Sequence, residues 1–582
     1  MHITENARTT SGTRTRVSDV SPLSGMCPLC IEECPTLCEV GKSAFRGREV
    51  LYPSPEYFGV STAASNKDFM LDWSHFQILS DLLGAWGIEP SPDKAFFENV
   101  DVTTSVATRS KKPIKLKIPI MVAGLGSTAV AKRCWDGLAK GAASAGTIQV
   151  VGENVCGMDP DATYSNGKVT SSPDLKWRIK TYRELWDGEH GNIAVQTNVE
   201  DQRAAVDDYA ISKLEVDIIE RKWGQGAKSI GGEVRLNSIE RALELKKRGY
   251  LVLPDPEDKS VQEGFRSGSF KTFERHSRVG FPKEKSFIED VESLRANGAK
   301  YVFLKTGAYR PAVVAFTLKV ASEAKIDLLT IDGAGGGTGM SPVPMMNESS
   351  TPTIHLEAQV LRCVQILKKQ GKFIPDLAMA GGFVNETQIF KSLAMSNLGD
   401  GPVIKAIAMA RAPLLAVMKS SYFARLAESK KLPKGFSEEY GEDPSKFFIM
   451  AKELKGLYPG SEVGRGIAWG AIGLYTYFVD RLGEGLKQMM AGSRKFGLRY
   501  LDRNDIVSLS QNAKRVTGIE TMEEMAERVI PSILQSGGMG EMGGDASSPM
   551  LSSGRLSSGK SRKAANGAVA SKSDRPGDRI GI

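Results

Sequence analysis

From Lys115 onward the chain alternates short apolar runs with longer stretches in which apolar residues recur every three or four positions. The runs at 118–123, 147–151, 193–196, 216–220, 301–304, 327–331, 377–380 and 403–408 read as buried strands. Amphipathic stretches at 129–143, 238–247, 311–324, 354–369, 386–394 and 412–430 read as helices that return the chain to the next strand. Eight such repeats over roughly 300 residues are what a (β/α)8 TIM barrel requires, and the predicted fold class is α/β. A doubly wound sheet is the competing architecture. Its one motif is Gly124-Leu-Gly126-Ser-Thr-Ala129, a GxGxxA run between a strand and a helix, but no acidic residue stands at the distance that holds a ribose.

The remaining segments divide the chain. Residues 1–26 are Thr/Ser/Arg-rich and predict disorder. Residues 27–110 form a cysteine-cluster segment followed by a helical cap, with a helical pattern at 68–84. The barrel occupies 111–430, and 431–535 reads as a helical extension that includes the apolar stretch 466–479. From 536 to 582 the chain is Gly/Ser/Lys-rich and predicts a disordered tail. No apolar run reaches membrane-spanning length and no secretory h-region is present, so a cytoplasmic protein without membrane contact is expected.

The formal charge of +8 raises the question of nucleic acid. Seven Lys/Arg against four Asp/Glu lie in 536–582 and three against two in 1–26, so half of the excess belongs to the ends. No basic stripe remains in the folded part, and a nucleic-acid partner is not expected.

Four of the seven cysteines, Cys27, Cys30, Cys34 and Cys38, form a C-x2-C-x3-C-x3-C array. Thiolates at this spacing suit a compact [4Fe-4S] cluster, with zinc as the alternative. The other conspicuous stretch is Asp332-Gly-Ala-Gly-Gly-Gly-Thr-Gly-Met-Ser-Pro342. Its glycines free the backbone to approach a ligand and to present bare N–H groups at a strand end.

Barrel chemistry sits at C-terminal strand ends. Those ends hold Ala123, Gly124 and Ser127, then Gly152, Glu153 and Asn154, then Gln196 and Asn198. The fourth delivers Lys222, Gln225 and Lys228, and the fifth Lys305 and Thr306. The sixth delivers Asp332, Gly333, Gly336 and Gly337, the seventh Gly381 and Gly382, and the eighth Ala410 and Arg411. The last two ends are where barrels commonly hold phosphate. Lysines at the fourth and fifth suit a further anionic ligand, and Glu153 is a candidate proton donor.

The succession Gly124-Leu-Gly-Ser, Gly152-Glu153, Lys222-Trp-Gly-Gln-Gly-Ala-Lys228, Asp332 to Pro342 and Gly381-Gly382 resembles the FMN-binding, central large-subunit domain of the glutamate synthase family over about residues 115–425. The cysteine array and the length are similar to its short, archaeal-type members, which lack a glutaminase domain. This resemblance implies FMN across the barrel mouth, bound through Ala123, Gly124, Ser127, Gln196, Lys305, Asp332, Gly333, Gly336, Gly337, Gly381, Gly382, Ala410 and Arg411. It implies Lys222, Gln225 and Lys228 as substrate-binding residues, and Glu153, Lys222, Gln225 and Lys305 as catalytic ones. The implied reaction is reductive amination of 2-oxoglutarate, through 2-iminoglutarate, to glutamate. Ammonia, or a glutaminase subunit, would supply nitrogen, since the chain opens on Met1-His2 rather than on a nucleophilic cysteine. A ferredoxin-like donor or a reductase subunit would supply electrons, with Cys27, Cys30, Cys34 and Cys38 as the metal ligands.

Two departures keep other readings open. The three-cysteine cluster loop that long members carry after strand 8 is missing, and Cys156 stands where the family tends to have an acidic residue. The alternatives are an FMN enzyme acting on another amino or keto acid, such as an N-methylglutamate synthase subunit, and a non-catalytic FMN and iron-sulfur electron-transfer subunit. A 2-hydroxyacid oxidase is disfavoured, because none of His2, His75, His190, His276 and His355 stands at a late strand end to act as base.

Overall fold

The computed structural model describes residues 67, 69–226, 230–337, 341–459 and 466–535. They all fall in the first of two compact units, Met1–Gly544; the second, Asp545–Ile582, lies outside the described residues. The cysteine array at 27–38 also lies outside them.

Eight parallel strands close into a barrel: β1 (Ile120–Leu125), β2 (Ile148–Val151), β3 (Ile193–Thr197), β4 (Ile218–Lys222), β5 (Tyr301–Thr306), β6 (Leu328–Asp332), β7 (Asp376–Ala380) and β8 (Ile404–Met409). Each pairs with its sequence neighbours, and β8 pairs with β1 through Ile407↔Ile120, so the doubly wound alternative is excluded. Crossover helices α1 (Ala129–Ser144), α2 (Pro173–Arg183), α3 (Val206–Leu214), α4 (Glu284–Ala296), α5 (Pro311–Glu323), α6 (Thr353–Lys369), α7 (Glu386–Met395) and α8 (Arg411–Glu428) surround it. Apolar residues on both faces of the strands explain their continuous apolar runs: one face meets the helices and the other fills the lumen. The lower lumen is packed by Met121, Ile148, Val150, Ile218, Phe303 and Leu328. A hairpin pairing Thr104–Val106 with Ile114–Leu116 adds Val106 and Leu116 to that cluster.

Three expectations need correction. The helical pattern at 68–84 is instead a short 3-10 turn, Trp73–His75, and a strand, Phe76–Ile78, which pairs antiparallel with Ile506–Ser508. That partner lies more than 400 residues away, so no local pattern reveals it. Strand 4 runs two residues further than its apolar run, because buried polar side chains continue it into the barrel mouth. Finally, the helix expected at 238–247 is not a barrel crossover. Together with helix Lys259–Arg266 it belongs to an insertion between β4 and α4, built on a three-stranded antiparallel sheet with Phe273–His276 between Glu233–Leu236 and Leu251–Leu253. This insertion has its own small core around Ile239, Leu245, Tyr250 and Phe273.

The apolar stretch 466–479 is a buried helix as expected, Trp469–Thr476, continuing through a π-type segment, Tyr477–Glu484, into Gly485–Gly492. It packs on α1 and α8 with glycine at the crossings. A Cβ on Gly141 would stand 2.8 Å from Leu474 Cβ, and one on Gly473 would overlap Ser420 Oγ at 1.8 Å. No helix of the described residues is long and apolar enough to cross a membrane.

Gly141→Val is expected to force this crossing apart and to destabilise the chain by about 1–3 kcal/mol, read as a lower thermal midpoint. Gly456→Ala, where a Cβ meets nothing within 4 Å, should leave the midpoint unchanged or raise it.

Candidate active site at the barrel mouth

Strand alternation decides what reaches the lumen. Gln196, Glu220, Lys222, Lys305, Thr330 and Asp332 sit two or four residues beyond Ala194, Ile218, Phe303 and Leu328, which line the lumen, and therefore share their inward face. The same level on β1, β7 and β8 carries Ala123, Ala380 and Ala408, with Ala410 just above. The mouth thus has a polar half, β3 to β6, and an alanine half that leaves room for a flat molecule.

In the polar half, Lys222 Nζ donates to Glu153 Oε1 at 2.7 Å and to Gln225 Oε1 at 2.8 Å. Lys305 Nζ stands 3.2 Å from Asp332 Oδ2. Burial pushes the Glu153 carboxyl up, but the Lys222 ammonium outweighs it and holds Glu153 below the usual carboxylate range. Burial also opposes the charge on Lys305. Asp332, Glu220 and Glu153 override that and raise its pKa. Glu220, two residues before Lys222 on the same inward face, is raised by burial that Lys305, Gln196 and Lys222 only partly offset. Three buried atoms facing this space have no hydrogen-bond partner among the described residues: Gln196 Oε1, Glu220 Oε2 and Thr330 Oγ1. Orphaned polar atoms at a barrel mouth call for a ligand or water to satisfy them.

Glu153 is held by the turn after β2. Asn154 takes the left-handed conformation, φ 64°, and its N–H donates to both oxygens of Asp201 at 2.9 and 3.2 Å. Asp201 is itself fixed in a capping box with Asn198 at the start of helix Val199–Arg203. Burial pushes the Asp201 carboxyl up to about 7, against the backbone N–H groups of Asn154 and Asn198. From the insertion, Tyr250 Oη donates to Asn154 Oδ1 at 3.2 Å, and the buried Arg275 guanidinium lies 4.7 Å from the Tyr250 ring centre. Arg275 Nη1 donates to Ser277 Oγ at 2.6 Å, while its Nε has no hydrogen-bond partner among the described residues.

The glycine run after β6 is also a packing seam. A Cβ on Gly333 would stand 2.5 Å from Thr353 Oγ1, one on Gly381 2.8 Å from Gly333 N, and one on Gly382 2.9 Å from Gly335 O. One on Gly226, in the loop after β4, would stand 2.1 Å from Gly333 O. These glycines let the loops after β4, β6 and β7 lie directly on one another. Thr353 Oγ1 lies 2.8 Å from Ala334 O and 2.7 Å from Gly381 O, which ties the last two loops together. Trp223 of the same signature packs on Phe287 of α4, its ring centre 4.6 Å away, and anchors the loop from outside.

Of the expected site residues, the structure brings Glu153, Lys222, Gln225, Gln196, Lys305 and Asp332 together. Gly124 belongs with them, since a Cβ there would meet Gln196 Oε1 at 2.8 Å. Ala123 and Ala410 line the alanine half. Gly381 and Gly382 lie beside the β8 loop, where Arg411 opens the 18-residue α8 and makes no ion pair among the described residues. Ser127 lines a cavity of about 420 Å³ with Lys132, Val155, Met158, Val234 and Arg241, between the start of α1 and the insertion. Gly336 packs on Asp332 and Gly381, Gly337 ends the described part of its loop, and Lys228 lies outside the described residues. Cys156 is buried, and burial pushes its thiol well up, so it is a packing residue rather than a nucleophile.

Sequence reasoning missed Glu220, Asp201, Arg275 and Thr330. For Glu220 a signal existed: it stands two residues before Lys222 in one strand, hence on the same face. The Asn198-x-x-Asp201 spacing was the sign of a capping box.

Residues 278–417 match the family model for the conserved region in glutamate synthase. A glutamate synthase large subunit-like protein of Rhizobium meliloti (strain 1021) is 26% identical over 345 residues, 59% of this chain. The chain spans 65% of that relative's length. Solved structures with a similar course include a flavocytochrome b2 variant with pyruvate bound, at 12% identity and TM-score 0.42, covering 78% of this chain and 81% of its own. A soluble form of the membrane-associated (S)-mandelate dehydrogenase from Pseudomonas putida has 13% identity and TM-score 0.38, with 75% and 88% covered. At these TM-scores the likenesses bear on neither the site nor the reaction.

The raised Asp201 gives a pH test. An unfolded carboxylate near 4 releases its proton first as pH rises, so this residue's contribution to native stability is complete below pH about 4 and lost by about pH 7. The thermal midpoint of wild type relative to Asp201→Asn is expected to fall across that window and to level above it. A difference that stays constant from pH 4 to 8 would show that Asp201 titrates normally.

Proposed function

We propose that this protein is an FMN-dependent oxidoreductase of glutamate synthase type that reductively aminates 2-oxoglutarate to glutamate. The observation that carries the reading is the Glu153–Lys222–Gln225 cluster beside the Lys305–Asp332 pair, with orphaned polar atoms between them and an alanine-lined half opposite. The match over 278–417 supports it, because that stretch contains Lys305, Asp332, the glycine loop, Gly381, Gly382 and Arg411.

The residues present fit FMN. Gln196, Lys305 and Asp332 would meet the polar end of its ring and Ala123, Gly124 and Ala410 the remainder. The β7 and β8 loops, with Arg411 at a helix N-terminus, suit its phosphate. When bound, FMN supplies the hydride that reduces the imine carbon. Lys222 and Gln225 would take a carboxylate of the substrate. That contact would draw Lys222 away from Glu153, whose burial then favours the protonated form, so the arriving substrate would prepare Glu153 as a proton donor. Lys305, kept charged by its acidic neighbours, would hold negative charge that gathers on the ring.

For Cys27, Cys30, Cys34 and Cys38 we retain the proposal of a [4Fe-4S] cluster, with a ferredoxin-like donor or a reductase subunit as electron source. Iron and acid-labile sulfide analysis separates it from zinc. Free ammonia or a glutaminase subunit remains the proposed nitrogen source.

Anaerobic full-length protein loaded with FMN, given dithionite, ammonium and 2-oxoglutarate, should form glutamate. Glu153→Gln and Lys222→Ala should each lower kcat by about 10²–10⁴-fold while FMN stays bound. No glutamate despite full FMN loading would overturn the reaction assigned here.

A further inference from the structure

Gln196 of β3 and Glu220 of β4 are register partners on adjacent strands, and both face the lumen. Gln196 Nε2 donates to Glu220 Oε1 at 2.5 Å. The amide's other end, Oε1, is buried and has no hydrogen-bond partner among the described residues, and the same holds for Glu220 Oε2. Gly124, on the far side, leaves the space that the Gln196 amide fills: a Cβ there would stand 2.8 Å from Oε1 and 2.9 Å from Nε2. The amide is therefore fixed from both sides.

An amide side chain can present either a donor or an acceptor, and its neighbours choose which. An ionised carboxylate only accepts, and Lys305, the Gln196 N–H and Lys222 all act toward that form of Glu220, offsetting part of the burial that raises its pKa. Turning the amide over would set its oxygen against the carboxylate and leave its N–H2 toward the lumen. We infer that Glu220 is a positioning residue: it holds the Gln196 amide with its oxygen toward the mouth, so that the site reads a ring N–H on its ligand. This rests on the FMN reading above and deepens it. On the oxidised isoalloxazine ring the one N–H is the imide N3–H, at the polar end of the ring, and the polar half of the mouth is where Gln196 stands.

The test uses full-length apoprotein and two probes, FMN and its N3-methyl derivative, with binding followed by quenching of flavin fluorescence. Wild type should bind FMN at least about tenfold more tightly than the derivative, the loss of roughly one buried hydrogen bond. In Glu220→Gln, which keeps the side chain's volume but can donate as well as accept, the ratio should fall toward one. Gly124→Ala, which pushes on the amide from the other side, should lower the ratio as well, and Glu220→Asp, still acceptor-only, should keep more of it than Glu220→Gln does. A general weakening of the fold would lower both affinities and leave their ratio unchanged. Equal binding of the two probes by wild type would overturn the inference while leaving FMN binding intact. So would a full ratio retained in Glu220→Gln, since the discrimination would then be steric. Failure of wild type to bind FMN would overturn the cofactor reading, and this inference with it.

Discussion

Placing two ammonium groups inside a barrel lumen is costly unless each is met by opposite charge and by hydrogen-bond acceptors. Much of the mouth follows from that demand. Lys305 stands beside Asp332 and Lys222 beside Glu153, with Glu220 within electrostatic reach of both lysines and Gln196 against Glu220. These groups come from neighbouring strands at matching levels, so the barrel's register makes the charge balance possible. A shift of one residue in β4 would turn Glu220 and Lys222 outward together and leave Lys305 with fewer counter-charges.

Holding that arrangement requires a rigid rim. The loops after β4, β6 and β7 are stacked backbone against backbone, with Gly226 on Gly333 and Gly333 on Gly381, and with Thr353 between two carbonyl oxygens. A rim built this way loses little freedom when a ligand arrives, and preorganisation of this kind favours binding. Beyond the rim, the insertion between β4 and α4 reaches the turn that carries Glu153, through Tyr250 on Asn154 and Arg275 over Tyr250. The turn that carries Glu153 is thus braced by Asp201 on the barrel side and by the insertion on the other.

The departures noted in the sequence take on physical meaning. Cys156 is a buried packing residue two positions after Asn154, and the carboxylate that supports this turn is Asp201, supplied from the β3 loop. The missing acidic residue therefore does not leave the turn without a carboxyl acceptor.

What the sequence by itself determined was the class of the fold and most of the strand-end residues. Buried parallel strands are continuous apolar runs, amphipathic helices repeat at 3.6 residues, and both patterns are local. Lys222, Gln225, Lys305 and Asp332 were legible because each follows or ends such a run. Only the tertiary structure decided what depends on closure and on distant neighbours. Glu220 was passed over as the end of a strand until closure turned it inward beside Lys305. The glycines after β6 announced a close approach, and the loops after β4 and β7, brought there by strand order, make one. Phe76–Ile78 became a strand because Ile506–Ser508 lies alongside it, and Ser127 shares a cavity with Val234 and Arg241 because the start of α1 faces the insertion. In each case the deciding contact joins residues far apart in the chain, and no window of local sequence contains both.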